Sequence, residues 1–273
     1  MHAVKGHLEG ARARHASIEV GFRLFERDAS IGGGLLAGAL AYRLFVLLLP
    51  TALLFVSGLG LYAGVVDESP GKVAKEAGLH GLVASQVAAT ASGGARWLVF
   101  LLMLPAVAYA LTALYRALAI TYAIVWHGSG RDRRVRPIGV GVLGIAFLVC
   151  LGAAEAAGLI RRHNQYDGLG ALAVYLVFVG AAWLAVSLQL PHGNARWYAL
   201  LPGAALVGAG LMGVNVFNIY VTTRLVEDRA NTYGALGIAT ALLFSLVLVG
   251  RVVIVSAELN AAIEEQRSRP RPG

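Results

Sequence analysis

The sequence is poor in the residues that most catalytic and soluble proteins depend on. Among 273 residues there is a single cysteine, Cys150, set in an apolar stretch, so no internal disulfide can form and no cysteine-based metal site is expected. Charge is also scarce: 14% of residues are charged, against about 25% in a typical soluble domain. Seven histidines (His2, His7, His15, His80, His127, His163 and His192) all fall outside the long apolar runs and show no HExxH spacing. There is no GxSxG elbow, no phosphate-cradling loop and no DNA-reading module. The expected protein is therefore not an enzyme and needs no metal or cofactor. Its basic loops would give salt-sensitive, nonspecific contact with RNA at most, which leaves no specific nucleic-acid partner. The first thirty residues carry charge and lack an apolar core, so no cleavable signal is expected, and the first apolar helix would serve as the insertion signal.

What the sequence has instead is long apolar runs. It is 58% hydrophobic, with a mean hydropathy of +0.68. Stretches of ~18 or more apolar residues read as membrane-spanning helices. Six are legible, at about 33–66, 97–126, 137–160, 169–190, 197–222 and 233–257. The fold class is all-α: a polytopic membrane protein with a transmembrane domain over 32–262. Residues 1–31 read as a cytosolic amphipathic segment, because Ile18, Phe22 and Phe25 recur at helical spacing with Glu19, Arg23 and Glu26 on other faces. Residues 67–96 read as an outer interfacial helix, and 263–273 as a disordered tail. The net charge of +8 suits loops that set topology and touch anionic headgroups. With both termini in the cytosol, thirteen Lys and Arg lie on the inner side and seven on the outer, with RDRRVR at 131–136 the densest cluster.

Small residues at four-residue spacing mark candidate close contacts between helices: Gly34/Gly38, Gly60/Gly64, Ala204/Gly208 and Ala209/Gly213. ARW occurs at 95–97 and again at 195–197, each time opening a run that contains a proline. This fits either an inverted three-plus-three repeat or a generic interface anchor.

Three arginines break the apolar runs. Arg43 sits in LLAGALAYRLFVLLLP, and Arg116 and Arg251 each follow about eighteen uncharged residues of a helix entering from the outer side. Each helix then continues inward with further apolar turns. Snorkelling to the headgroups is one reading. The other is a ligand site, because a helix that merely ended at the headgroups would need no further apolar turns, and guanidinium forks suit phosphate. On the second reading Arg43, Arg116 and Arg251 bind an anionic lipid or lipid-linked molecule, with Tyr42, Glu258 and Asn260 nearby. Glu258 is the available counter-charge on the helix of Arg251. Pro50 is expected to kink or break the first span. Glu155, Asn215 and Asn218 would form a second polar layer toward the outer side or, alternatively, bond between helices.

The stretches LAGALAYRLFVLLLP, WYALLPGA (197–204) and YGALGIATALLFSLVLVGRVVIVSAELNAAI (233–263) resemble the YihY/BrkB family of bacterial inner-membrane proteins. The resemblance implies six helices with both ends in the cytosol. Tyr42, Pro50, Tyr233, Gly234, Glu258 and Asn260 fall on motif positions, whereas Arg43 and Arg251 depart from the commonest pattern. It also implies a link to the cell envelope and virulence, and movement of lipids or lipid-linked molecules. Three functions follow in order of fit: a transporter or flippase-like protein for an anionic amphiphile, a non-transporting scaffold of envelope maintenance, and the nuclease that an older family label names. Membrane lipids are the expected partners, and a homo-oligomer is compatible with the small-residue faces.

Overall fold

The computed structural model describes residues 27–66, 96–126, 136–163, 168–193, 195–217 and 235–268. Every regular element among them is helical, and none is a strand. The helices are α1 (Gly33–Val66), α2 (Arg96–Val125), α3 (Pro137–His163), α4 (Gly168–Gln189), a 3₁₀ turn (Trp197–Leu200) leading into α5 (Leu201–Phe217), and α6 (Ala235–Ser268). Among the described residues five helical stretches are long and apolar enough to cross a membrane. They lie in α1, α2, α4, the 3₁₀ turn with α5, and α6, while Pro137–Ala153 of α3 is a shorter apolar helix. The expected amphipathic helix near Ile18 and the interfacial segment at 67–95 lie outside the described residues.

Two expectations change. Of the kink or break expected at Pro50, the break does not occur: α1 is one helix of 34 residues with the proline inside it. In an apolar surround an interrupted backbone has no water to satisfy it, so the helix persists. The C-terminal boundary also moves, because α6 runs to Ser268 rather than giving way to a disordered tail at 263. Leu, Ala, Glu and Gln in AELNAAIEEQ are strong helix formers, and Ala261 and Ala262 are buried in the fold.

The chain divides into two compact units, Met1–Ala41 with Arg116–Gly273, and Tyr42–Tyr115. In the first, α3 packs on α4, α4 on α5, and α5 on α6. The α4–α5 crossing is made where Ala204 and Gly208 face α4. A Cβ on Gly208 would stand 2.9 Å from the Leu176 carbonyl oxygen, and one on Gly180 would stand 3.5 Å from that of Ala204. Gly34, Gly38 and Gly213 instead face open space. Gly208→Val is therefore expected to lose about 1–3 kcal/mol by overpacking, while Gly38→Ala leaves stability within the scatter. Denaturant unfolding of the two variants in mixed micelles measures the contrast. In the second unit, a Cβ on Gly58 of α1 would stand 3.5 Å from the Phe100 ring of α2. Leu53, Phe55, Leu98, Leu101 and Tyr109 are exposed there, giving an apolar surface suited to lipid.

The entry to α5 is set by one proline. Pro202 has no N–H with which to reach the carbonyl four residues back, that of Tyr198. The Leu201 N–H bonds it instead, and the chain winds tightly over Trp197–Leu200 before the α-helix begins.

Candidate functional site

The polar groups of the first unit converge where α2 and α6 end. The helical turn at 27–31 precedes α1 and is separated from it by Gly32, whose φ of 68° is readily reached by glycine. The Gly32 carbonyl then accepts from Leu35 and Leu36 N–H, which starts α1 in a new direction. This reversal folds Asp28 back over Gly33, where a Cβ would collide with the Asp28 carboxylate.

Asp28 uses that position to hold Arg251. Nη1 donates to Oδ1 at 2.7 Å and Nη2 to Oδ2 at 3.0 Å, a bidentate pair between residues 223 apart in sequence. The pair is partly buried, with side-chain exposures of 37% for Arg251 and 18% for Asp28. The neighbouring Arg27 makes a second tie: Nη1 bonds Glu265 Oε1 at 2.8 Å, and Nη2 bonds the Val125 carbonyl at the end of α2. Two consecutive residues of the turn thus fasten it to α6 and α2.

Deeper in the same unit lies Asn260. Its Oδ1 accepts from the Gly203 N–H at 2.7 Å, and its Nδ2 donates to the Leu200 carbonyl at 3.3 Å. Gly203 is in the first turn of α5, where N–H groups have no partner within the helix. Arg196, ahead of the 3₁₀ turn, provides no side-chain cap. Asn260 therefore caps α5 from a different helix. The contact is close because residue 203 is glycine; a Cβ there would sit 2.6 Å from the Ser256 carbonyl oxygen. Nearby, Tyr122 is fully buried, with its hydroxyl 3.3 Å from Ser187 Oγ. Glu258, two helical turns beyond Arg251 on α6, is 1% exposed, and its Oε1 has no hydrogen-bond partner. A cleft of about 220 Å³ opens beside this cluster, lined by Arg27, Trp126, His192, Gly193, Ala195, Ala261, Glu264 and Glu265.

The other residues singled out from sequence have different surroundings. Arg116 is exposed on α2, and the Arg251 cluster is built without it. Beyond Arg116, Leu118, Ala119, Tyr122, Ala123 and Val125 are buried, so one side of the apolar turns past this arginine is covered by protein, while Ile120, one turn on along the face of Arg116, is exposed. Arg43 and Tyr42 are exposed on α1 in the second unit. Asn215 is half-buried and reaches Tyr175 of α4, which is an interhelical contact. The Glu155 side chain, Asn218, Tyr233 and Gly234 lie outside the described residues.

Sequence reasoning missed Asp28, Arg27 and Gly203. Asp28 carried a signal: a charged side chain in an apolar helix needs a counter-ion, and DASIGGG puts an acid next to three glycines that let the chain turn back. Gly203 carried a weaker one, as the small residue following a proline at a helix entry.

No curated protein and no solved structure matches the chain. Residues 25–273 match the family described as virulence factor BrkB, a span that takes in the turn at 27–31, all six helices and the polar cluster. The chain belongs to the virulence factor BrkB family, and its apolar helices make it a multi-pass membrane protein of that family.

Proposed function

We propose that the protein is a six-span protein of the bacterial cytoplasmic membrane, with both ends in the cytosol, that binds and moves an anionic lipid or lipid-linked molecule. It acts by binding rather than by catalysis. Arg116 and Arg43 each offer a guanidinium to a phosphate-bearing headgroup, while Arg251 holds the protein together through Asp28.

The observation that carries this reading is Arg116. It is exposed, yet one side of the apolar turns that follow it, through Leu118, Ala119, Tyr122 and Val125, is buried in protein. A side chain that only snorkelled from a helix end would leave nothing beyond it to cover. An exposed cation short of the end of an apolar helix instead presents five donors to whatever lipid headgroup reaches that depth. Arg43 is exposed in the same way, with Ala37, Leu40 and Ala41 buried on the preceding turns. The basic loops add anionic-lipid attraction of about 1 kcal/mol per Lys or Arg near the surface.

The test is lipid retention. Protein reconstituted in mixed phosphatidylglycerol and phosphatidylcholine bilayers and re-extracted should keep phosphatidylglycerol in excess. Arg116→Ala should lower that excess several-fold, and Arg116→Lys should restore part of it, because a point charge replaces a bidentate fork. An unchanged excess in Arg116→Ala refutes the role given to this residue.

A further inference from the structure

We infer that Glu258 is a proton-binding site inside the membrane domain, loaded from the cleft beside Arg27. The inference is independent of the lipid reading, since it uses neither Arg43 nor Arg116.

Three observations converge on it. Glu258 is 1% exposed, and its Oε1 is buried with no hydrogen-bond partner. A carboxylate left so would be a buried, unsolvated anion, and burying an ionised carboxylate without a partner is among the most unfavourable things a fold can do. A proton on that oxygen removes the charge. The nearest remedy of another kind, a salt bridge to Arg251, is already taken: both of its terminal nitrogens are held by Asp28. The other charged groups that bear on Glu258 are Asp28 and Arg27 of the turn at 27–31. Arg27 is tied to Glu265 and to the Val125 carbonyl. On α2, Tyr122 is fully buried with its hydroxyl at Ser187 and Ser256.

The third observation is access. Ala261, Glu264 and Glu265 line the cleft, and on α6 Glu258 precedes Ala261 by three positions and Glu265 by seven. Residues at these intervals share one helix face. The face that borders the cleft therefore continues down to Glu258, one turn beneath Ala261. Water in the cleft delivers a proton to Oε1, which becomes a carboxyl hydroxyl, and takes it back when the site empties. Loading and unloading change by one unit the charge beneath the turn at 27–31, so the site reports to the fastening between that turn and α6.

The experiment is infrared difference spectroscopy on the full chain in lipid, exchanged between H₂O and D₂O at neutral pH. A protonated carboxyl shows its own C=O stretch, which moves on deuteration. The expected result is such a band in the wild type, lost in Glu258→Gln and retained in Glu264→Gln. Ala195→Trp, which fills the cleft from its rim, should slow the deuterium shift. A wild type without the band, or a folded Glu258→Gln variant that keeps it, overturns the proposal. Carbodiimide labelling keeps the test independent of whether that variant folds, because the reagent attacks protonated carboxyls. Mapped on wild-type protein by mass spectrometry, the label should fall on Glu258 in preference to the solvated Glu264 and Glu265. A label confined to those two would overturn the proposal equally.

Discussion

Asn260→Leu is expected to destabilise the membrane domain more than any other single substitution considered. Leucine keeps the branching of asparagine at Cγ but is larger, so the change leaves no cavity and adds some overpacking to the polar loss. The Gly203 N–H and the Leu200 carbonyl, both buried, lose their partner together. Each unsatisfied buried group costs about 1–3 kcal/mol, so the total expected is about 2–6 kcal/mol. The loss falls on the first turn of α5, whose N–H groups have no substitute donor-acceptor partner in an apolar surround. Unfolding in mixed micelles should therefore show a large fall in stability. Gly203→Ala should approach the same result by another route, since its Cβ would press on the Ser256 carbonyl from the side that Asn260 now occupies. Stability near that of the wild type in Asn260→Leu would mean that the cap is dispensable.

The second large effect concerns Arg251, and its signature is an asymmetry. Arg251→Gln removes the cation and leaves Asp28 beside Glu258 with no bidentate partner. Asp28→Asn removes one carboxylate but frees Arg251 to draw the proton off Glu258, which then serves as its counter-charge. The arginine variant should lose about 2 kcal/mol, between the near-zero value of surface pairs and the 3–5 kcal/mol of fully buried ones, because the pair is only partly buried. The aspartate variant should lose clearly less. The double variant should lose less than the sum of the two, as partners in contact do. Equal losses would argue that Glu258 cannot take the place of Asp28.

Much of the helical plan was legible because a bilayer imposes one requirement, a long run of apolar residues, that is written directly in sequence. Helices α1 and α3 start at Gly33 and Pro137, where the first and third apolar runs are read to start. The break weighed at Pro50 does not occur, because a broken helix is readily solvated in water but not in an apolar surround. The end of α6 misled because EEQRS reads as polar, although Ala261 and Ala262 still pack inward and carry the helix on. At the candidate site, composition could flag an arginine in an apolar helix but could not name its partner. Helical spacing pointed to Glu258, seven residues away. The actual partner, Asp28, is brought in by a backbone reversal at Gly32 from 223 positions away. Ala204/Gly208 proved a true crossing and Gly34/Gly38 did not, since the pattern of small residues is the same and only the neighbouring helix differs.

The division of labour among the three arginines is the heart of the account, and lipid retention by variants tests it most directly. Arg43→Ala/Arg116→Ala and Arg251→Lys proteins, each purified from bilayers of known composition, would be weighed intact with their bound lipids by mass spectrometry. The account predicts that the double variant loses its preference for anionic over zwitterionic phospholipid while the Arg251 variant keeps it. A double variant that retains the wild-type preference, or an Arg251→Lys protein that alone loses it, would contradict the assignment.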